Sequence, residues 1–257
     1  MKEFLKRTLP ASLWEVCRSA ARQNWFFGLV FTLTSRFYWV GSLKFAYPKK
    51  LIPVSQRAAF LFRLYEASEL EQVCQFIKKE DHILELGACL GVVSCATAQL
   101  LAPAQRHVVV EANPFVLPYL HKNKTRNGFG FLVLNCLIGA GPTGKLLLEE
   151  NIHTSRRQEH GNAGLLLPSF STAELNHRFG PFSGLIMDIE GAELDILERE
   201  TEFLRELRVI IVEFHPHIAG EAACERAKVR LDQLGFERKT PPGNVETWVK
   251  TAGKNPS

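Results

Sequence analysis

The basic N-terminal segment, residues 1–50, lacks a long apolar run, and the sequence as a whole lacks a cluster of cysteines. The longest stretch without a charged residue in that segment, 23–35, has 13 residues, whereas a membrane-spanning helix needs about 20. The six cysteines are scattered without a C-x-x-C pair, so we expect reduced core residues of a cytosolic protein. Internal repeats and low-complexity tracts are also missing, which excludes a collagen-like or wholly disordered chain.

What is present fits one large domain with an appendage. The chain has 257 residues, 46% of them hydrophobic and 23% charged, which is typical of soluble proteins. Its charge is uneven, because residues 1–50 balance to +7 and the remainder to −3. Pro48 and Pro53 bracket a short charged stretch and mark a boundary. We therefore predict an N-terminal helical extension at 1–56, a main domain at 57–250 and a flexible tail at 251–257.

The extension is basic and aromatic, and two interpretations of it stay open. It is either a helical cap whose aromatic side chains pack on the main domain, or a surface that contacts anionic lipid or an acidic partner. No apolar segment follows the basic residues at the start of the chain, so we expect no signal peptide. We predict a cytoplasmic protein, with peripheral membrane contact through residues 1–50 left open. The chain is not uniformly basic, so no nucleic-acid partner is expected.

Beyond the extension, short apolar runs alternate with helical patterns. Runs that are apolar throughout, such as 185–189 and 209–214, are typical of strands covered on both faces. Strands are predicted at 82–86, 107–111, 131–138, 185–189, 209–214, 236–239 and 245–250. Helices are predicted at 57–77, 91–101, 114–127, 192–207 and 219–234. The last two strands flank Pro-Pro-Gly-Asn, which suits a hairpin. The pattern predicts a Rossmann-like α/β fold with a mostly parallel seven-stranded sheet, helices on both faces and an antiparallel edge hairpin.

Candidate site residues fall at the carboxyl ends of these strands, where such sheets bind ligands. The segment 85–91, E-L-G-A-C-L-G, is an acidic strand end followed by a glycine turn and a helix. Glycine lets the backbone approach a ligand, and the helix N-terminus presents free N–H groups. Glu111 ends the next strand, 24 residues after Gly87, and a carboxylate can accept hydrogen bonds from both hydroxyls of a ribose. Asn135 and Cys136 follow the third strand, where an adenine could lie flat.

A further motif, D-I-E-G-A-E at 188–193, adds three carboxylates after a later strand. The order of E-L-G-A-C-L-G, V-E-A-N-P, D-I-E-G-A-E and V-E-F-H-P over residues 66–250 resembles the FkbM family of S-adenosylmethionine-dependent methyltransferases. The resemblance implies a class I methyltransferase fold, S-adenosylmethionine as cofactor, and O-methylation of a sugar, glycan or polyketide-like hydroxyl. The family usually has Asn in place of Cys89, and often Lys in place of Ile186.

The same resemblance implies roles for individual residues. Asp188 would lie beside the reactive methyl, Glu111 would hold the ribose, and the first motif would line the methionine end. Together with the positions of the strand ends, this predicts a set of cofactor-binding residues: Glu85, Gly87, Ala88, Gly91, Glu111, Asn135 and Cys136.

Methyl transfer from a sulfonium needs alignment of the incoming oxygen and a group that takes up the hydroxyl proton. The candidates for this group are Asp188 and Glu190, followed by Glu213 and His215. We predict Asp188, Glu190 and His215 as the catalytic residues. Glu193 is interpreted as a first-turn helix acid stabilised by the helix dipole. His215 and His217 resemble a metal-binding pair, but no H-x-E motif or cysteine cluster accompanies them, so no metal site is predicted.

Three other functions remain as alternatives. Residues 139–145 match G-x-x-x-x-G-K, the phosphate-binding loop of an NTPase. Leu146 follows the lysine, however, and lacks the hydroxyl that would bind Mg²⁺; a Gly/Pro hairpin turn accounts for the same residues. A dinucleotide-dependent dehydrogenase would need glycine where Cys89 stands. A non-catalytic cofactor-binding protein is the third.

The polar insertion at 151–163 is either a solvated loop or a lid that holds an acidic or glycan acceptor.

Overall fold

The computed structural model describes residues 24–139, 141–147, 156–158 and 164–251. The helices are α1 (Trp25–Thr34), α2 (Ala58–Leu61), α3 (Ala67–Phe76), α4 (Val92–Leu100), α5 (Leu117–Arg126), α6 (Thr172–Phe179), α7 (Glu193–Arg199), α8 (Thr201–Glu206), α9 (Pro216–Ala219) and α10 (Glu221–Gln233). The strands are β1 (Tyr38–Val40), β2 (Leu43–Phe45), β3 (Ile83–Leu86), β4 (His107–Val110), β5 (Leu132–Leu134), β6 (Leu137–Ile138), β7 (Thr143–Leu147), β8 (Arg156–Gln158), β9 (Leu165–Phe170), β10 (Gly184–Met187), β11 (Val209–Glu213), β12 (Phe236–Arg238) and β13 (Val245–Lys250).

Seven strands form the main sheet in the order β12-β13-β11-β10-β3-β4-β5. From β3 at the centre, the chain first adds β4 and β5 on one side and later β10 and β11 on the other, all in parallel. The change of side between β3 and β10 is a topological switch point, where open α/β sheets bind ligands beyond the carboxyl ends of their strands. The predicted Rossmann-like class I methyltransferase fold, with a mostly parallel seven-stranded sheet, is confirmed.

The end of the chain forms the predicted antiparallel hairpin. β12 and β13 pair antiparallel, and β13 also pairs antiparallel with β11. The last strand therefore inserts into the sheet, and β12 takes the edge. The strand that runs antiparallel to its neighbours is thus β13, second from the edge. Apolar periodicity alone does not reveal this position.

Side chains along each strand alternate between the two faces of the sheet. Both faces of the central strands carry apolar side chains, and helices cover each of them. On one face, Leu84 and Leu185 pack with residues of α7, α8 and α10 in one large core. On the other face, Ile83 and Ile186 pack with Val73 of α3 and with α4. Burial of each such side chain contributes about 1.5–3 kcal/mol. These two layers hold the strand ends, and the loops that follow them, in fixed positions.

The described part of the extension shares a core with the main domain. Phe31 of α1 and Tyr38 of β1 are buried, and their rings lie 5.5 Å and 5.0 Å from that of Phe60. Both belong to a cluster that also contains Leu120 of α5. This packing is what the helical-cap interpretation expects, although β1 and β2 make the extension more than helical. The division at residue 57 and the lipid contact stay predictions, and residues 1–23 lie outside the described residues.

The predicted strand at 131–138 is divided between two sheets. β5 belongs to the main sheet, whereas β6 belongs to a second sheet of order β6-β9-β7-β8. Because β9 lies between β6 and β7, the hairpin turn predicted for 139–145 is wrong. Lys145 lies within β7 and not at a helix N-terminus, so these residues do not form a phosphate-binding loop. β8 lies inside the insertion, whose other residues, and with them the lid prediction, fall outside the described residues.

Two findings concern the lengths of the helices and the state of the cysteines in the described part of the chain. Its helices are all too short or too polar to cross a membrane. Five cysteines lie among the described residues; all five are free, and four of them are buried. Cys17 lies outside the described residues.

Candidate functional site

A cleft opens beyond the carboxyl ends of β3, β4 and β10. It encloses about 740 Å³, including space open to solvent. Leu137, Ile138 and Leu146 form an apolar wall. The predicted site residues that line it are Gly87, Glu111, Cys136, Asp188 and Glu190. The cleft therefore lies at the switch point where the sequence predicts a ligand.

The turn after β3 brings two strand ends into contact. Gly87 has φ +85°, and a Cβ atom there would lie 1.7 Å from the backbone oxygen of Asp188, in the turn after β10. Only glycine fits such an approach. Gly91 begins α4 with φ +75° and lies outside the lining of the cleft. Cys89 has φ +45°, a conformation that asparagine adopts more readily than cysteine.

Glu111 follows β4 and borders the cleft, as predicted. Its Oε2 accepts a hydrogen bond from the backbone N–H of Cys89 (2.6 Å), and its Oε1 accepts one from that of Asn113 (2.7 Å). Burial raises the pKa of this carboxyl, while these backbone N–H groups act in the opposite direction. Each carboxylate oxygen has a further lone pair that can accept from a hydroxyl. The binding of a ribose by Glu111 stays a prediction.

Three other predicted cofactor residues have different positions. Asn135 Nδ2 donates to the backbone oxygens of Glu111 (2.8 Å) and Ala112 (3.0 Å), so its amide supports the loop after β4. Ala88 is buried, and its N–H donates to the backbone of β4. Cys136 lines the cleft, and burial raises the pKa of its thiol to about 11. Its uncharged thiol suits the predicted role of an apolar spacer.

Glu85 differs from the expectation that it lines the cofactor's methionine end directly. It is 1% exposed and lies within β3, so its side chain points into the layer between the sheet and α4. One carboxylate oxygen accepts from the Ser94 hydroxyl, and the other lies 2.9 Å from His107 Nε2. Both oxygens are therefore engaged inside the protein. In the structure Glu85 anchors the start of α4, and its contact with the cleft is indirect.

The turn after β10 is organised by Glu193. Its Oε1 accepts from the N–H of Ile189 (2.9 Å), and its Oε2 accepts from the N–H of Gly191 (2.8 Å). His215 Nδ1 lies 3.1 Å from the same Oε1. Glu190, inside this turn, has φ +54°, a left-handed conformation that non-glycine residues adopt at some cost. Glu193 thus holds both the turn and an imidazole, which the helix-dipole interpretation did not foresee.

The structure brings the three predicted catalytic residues together. His215 Nε2 lies 3.5 Å from Asp188 Oδ1 and 3.7 Å from Glu190 Oε2. The imidazole side chain is only 8% exposed, whereas that of Asp188 is 38% exposed and borders the cleft. Asp188 Oδ1 is nevertheless buried and accepts no hydrogen bond from the described part of the chain. An imidazole and two carboxylates are therefore positioned beside a space that a substrate can enter.

The pKa values of Asp188 and His215 are both raised, so each group keeps its proton to a higher pH than usual. Burial, together with Glu69, Glu190 and Glu193 and against the opposing charge of His215, raises the pKa of Asp188 to about 8. Burial would lower the pKa of His215, but the hydrogen bond and charge of Glu193 and the neighbouring carboxylates raise it to about 9. Perturbed acid and base groups of this kind are common at active sites.

A second cavity, which we call the acidic cavity, meets the cleft at Gly87 and Asp188. It measures about 370 Å³ when space open to solvent is included, and its described lining contains no Lys, Arg or His. Its carboxylates are those of Glu66, Glu69, Glu85, Asp188 and Glu213. Burial, and a hydrogen bond with Glu69, raise the pKa of Glu213 to about 10. A cationic group placed in this cavity would favour the charged forms of these carboxyls, which otherwise hold their protons.

Sequence reasoning missed Glu66 and Glu69. They come just before and within α3, where their spacing carries no signal apart from acidic residues at a helix start. In the structure, Glu66 has φ +51°, and its Oε2 accepts from the N–H of Val93 in α4 (3.3 Å). This contact joins the residue before α3 to α4, and hydrophobic periodicity could not predict it.

Comparison with known proteins returns methyltransferases among solved structures. No family model and no curated protein matches the sequence. A precorrin-6Y C5,15-methyltransferase from Geobacter metallireducens has 16% identity and a TM-score of 0.48, over 80% of this chain and 94% of that one. The O-methyltransferase TomG from Streptomyces achromogenes, in complex with S-adenosylmethionine, has 15% identity and a TM-score of 0.46, over 90% and 98%. A ribosomal protein L11 methylase from Lactobacillus delbrueckii has 11% identity and a TM-score of 0.45, over 73% and 80%.

These similarities are of backbone arrangement only. With TM-scores below 0.5, the fold assignment rests on the strand order of the sheet. The names of the three proteins also describe different methyl acceptors, among them a small molecule and a ribosomal protein.

Proposed function

We propose that the chain is an S-adenosylmethionine-dependent methyltransferase that methylates a hydroxyl oxygen. The observation that carries the proposal is the convergence of Gly87, Glu111 and Asp188 on one cleft at the switch point. In this arrangement, Glu111 holds the ribose hydroxyls, and the glycine turn lies against the methionine end. The carboxyl groups of the acidic cavity, once ionised, complement a ligand that carries a sulfonium and an ammonium group.

The charge of the cleft argues against the phosphate-bearing alternatives. Its described lining contains Glu111, Asp188 and Glu190 but no Lys or Arg. A nucleoside triphosphate or a dinucleotide would bring phosphates against these carboxylates without a compensating cation. S-adenosylmethionine has no phosphate. The site therefore favours it over ATP or NAD.

The chemistry requires one bond to form as another breaks. The acceptor oxygen attacks the methyl carbon, the carbon–sulfur bond breaks, and its electron pair leaves with sulfur as a neutral thioether. The hydroxyl proton passes to a base at the cleft, for which Asp188 is the first candidate and His215 the second. A base whose pKa lies near the working pH is efficient, and such proton transfer contributes about 10²–10⁴-fold to rate.

The acceptor class follows from the FkbM-like motif order. We propose a sugar, glycan or polyketide-like hydroxyl, and no nucleic acid. The apolar wall of Leu137, Ile138 and Leu146 is compatible with the adenine or with an apolar part of the acceptor.

Two measurements test the proposal. Calorimetry with S-adenosylhomocysteine should give one-to-one binding, while ATP with Mg²⁺ should give none; the reverse result would reject the proposal. Incubation with methyl-labelled cofactor and a mixed glycan extract should then label a product. Binding without any labelled product would favour the non-catalytic alternative.

Replacing Asp188 tests the transfer step. We expect Asp188→Ala to abolish methyl transfer while S-adenosylhomocysteine still binds, because the proton acceptor is lost and the ribose contact is kept. Single-turnover rates and calorimetry measure the two effects. Turnover near that of the unmodified protein would remove Asp188 from the mechanism.

A further inference from the structure

Asp188, Glu213 and His215 form a compact group of metal-ligand types around Asp188, which lines both the cleft and the acidic cavity. Each offers one ligand atom, and these atoms all lie within 4.8 Å of one another. Asp188 follows β10, Glu213 ends β11, and His215 lies two residues further on. Parallel neighbouring strands bring these residues together, although Asp188 is separated from the other two by 25 or more residues in sequence.

The imidazole in this group is oriented as metal-binding imidazoles are. His215 is buried, and its Nδ1 is held by Glu193 Oε1 at 3.1 Å, which leaves Nε2 directed towards Asp188 and Glu190. Histidine ligands commonly place a carboxylate on the ring nitrogen that does not bind the metal. Glu193 is itself fixed by two backbone N–H groups. The protein therefore holds Nε2 in one direction before any ligand arrives.

A second observation points into the same space. Asp188 Oδ1 is buried without a hydrogen bond from the described residues, and His215 Nε2 is 3.5 Å away. Buried carboxylate oxygens nearly always have a partner. The described lining of the acidic cavity supplies further carboxylates and no basic side chain. A cation seated between Asp188, Glu213 and His215 would satisfy the oxygen and offset the negative charge.

We propose that Asp188, Glu213 and His215 bind a divalent first-row transition metal. Two carboxylates and one neutral imidazole suit Mn²⁺ or Zn²⁺ better than Ca²⁺, which prefers oxygen ligands alone. Three protein ligands leave coordination positions open, and Asp188 borders the cleft. The metal role rests on the proposed function: the ion would bind the acceptor hydroxyl and lower its pKa. With Asp188 and His215 acting as ligands, the proton would pass to Glu190, which lines the cleft, as the oxygen–carbon bond forms and the carbon–sulfur bond breaks. Metal binding itself does not depend on that function.

Titration of the metal-free protein with Mn²⁺ tests the proposal, with free Mn²⁺ followed by electron paramagnetic resonance and heat by calorimetry. We expect one bound ion per chain. Glu213→Gln and His215→Gln should each weaken binding at least about 10-fold, and Glu193→Gln should weaken it about 10–100-fold through the imidazole. His217→Gln is the matched control, since His217 is an exposed histidine of the same segment, and it should bind as the unmodified protein does. Circular dichroism confirms that each variant is folded.

Several results would overturn the proposal. The absence of Mn²⁺ binding would mean that a protonated His215 neutralises the carboxylates without a metal. Binding that Glu213→Gln and His215→Gln leave unchanged would place the ion elsewhere. Competition between Mn²⁺ and S-adenosylhomocysteine would mean that the cofactor's ammonium group occupies this place. Unimpeded Mn²⁺ binding by a chain that does not bind S-adenosylhomocysteine would instead reject the proposed function and leave the metal site standing.

Discussion

Gly87 lies where the turns after β3 and β10 meet, and no side chain fits between them. We expect Gly87→Ala to destabilise the fold and to abolish cofactor binding, since its Cβ would fall 1.7 Å from the backbone of Asp188. One of the two turns would have to move. Urea unfolding and calorimetry with S-adenosylhomocysteine measure the two losses.

Gly128 offers a matched control for this substitution. It has φ +75°, close to that of Gly87, but its Cβ would meet nothing within 4 Å. Gly128→Ala should therefore cost only the left-handed backbone conformation, about 1–2 kcal/mol, and should leave cofactor binding unchanged. Equal effects of the two variants would show that close approach at Gly87 is unimportant.

In the proposed function, Glu111 is the residue that binds the ribose. Glu111→Gln replaces an acceptor oxygen by an NH₂ group that faces a backbone N–H donor, either that of Cys89 or that of Asn113. We expect cofactor affinity to fall at least about 10-fold, because a donor then opposes a buried donor at a cost of about 1–3 kcal/mol. Calorimetry measures the change, and the exposed Glu80→Gln serves as control. Unchanged affinity would exclude Glu111 from the cofactor site.

At the scale of elements, one carboxylate links the turn after β10 to the residue that follows β11. Glu193→Gln should remove part of this link, since a side-chain amide cannot accept on both of its ends as the carboxylate does. We expect slower methyl transfer and a loss of about 1–3 kcal/mol in unfolding free energy, with cofactor affinity less affected. Stopped-time assays and urea unfolding measure these effects.

Glu198 provides the comparison on the same helix, because it is exposed. Glu198→Gln should match the unmodified protein in both rate and stability. A Glu193→Gln protein that behaves like Glu198→Gln would show that Glu193 is only a first-turn helix acid, as its sequence position suggested.

At the scale of the whole molecule, the buried acids make stability depend on pH. Asp188 and Glu213 have pKa values raised from 3.8 to about 8 and from 4.5 to about 10, and that of His215 is raised from 6.5 to about 9. Between about pH 5 and 9 the folded chain therefore holds protons that the unfolded chain releases, so stability falls as pH rises. We expect a lower urea midpoint at pH 9 than at pH 6.

The size of the change in urea midpoint between pH 6 and pH 9 shows how much each raised pKa contributes. Glu213→Gln keeps the shape of the side chain and removes its titration, so the difference between pH 6 and pH 9 should shrink. A midpoint that is constant or rises across this range in the unmodified protein would contradict the shifts. Saturating S-adenosylhomocysteine, whose ammonium group adds a positive charge, should raise the midpoint most at high pH.

Much of the fold and part of the site could be predicted from the sequence. Apolar runs separated by helical patterns predicted the seven strands of the main sheet, and Pro241 to Asn244 predicted the hairpin. Glu111 was placed correctly at the edge of the cleft because it lies just past its strand. Glu85 was not, because it lies within β3, where a side chain points into the helix layer and not beyond the strand end. Strand limits accurate to one residue decide such cases.

The order of strands, helices and glycine turns is local information, and the amino-acid sequence by itself determined it. Which carboxylates meet was decided only by the tertiary structure. Glu66 and Glu69 reach the acidic cavity because α3 packs beside α4, and Asp188 meets His215 because β10 and β11 are neighbours in the sheet. Such contacts join residues far apart along the chain. They arise from the packing of whole layers, which no short sequence pattern encodes.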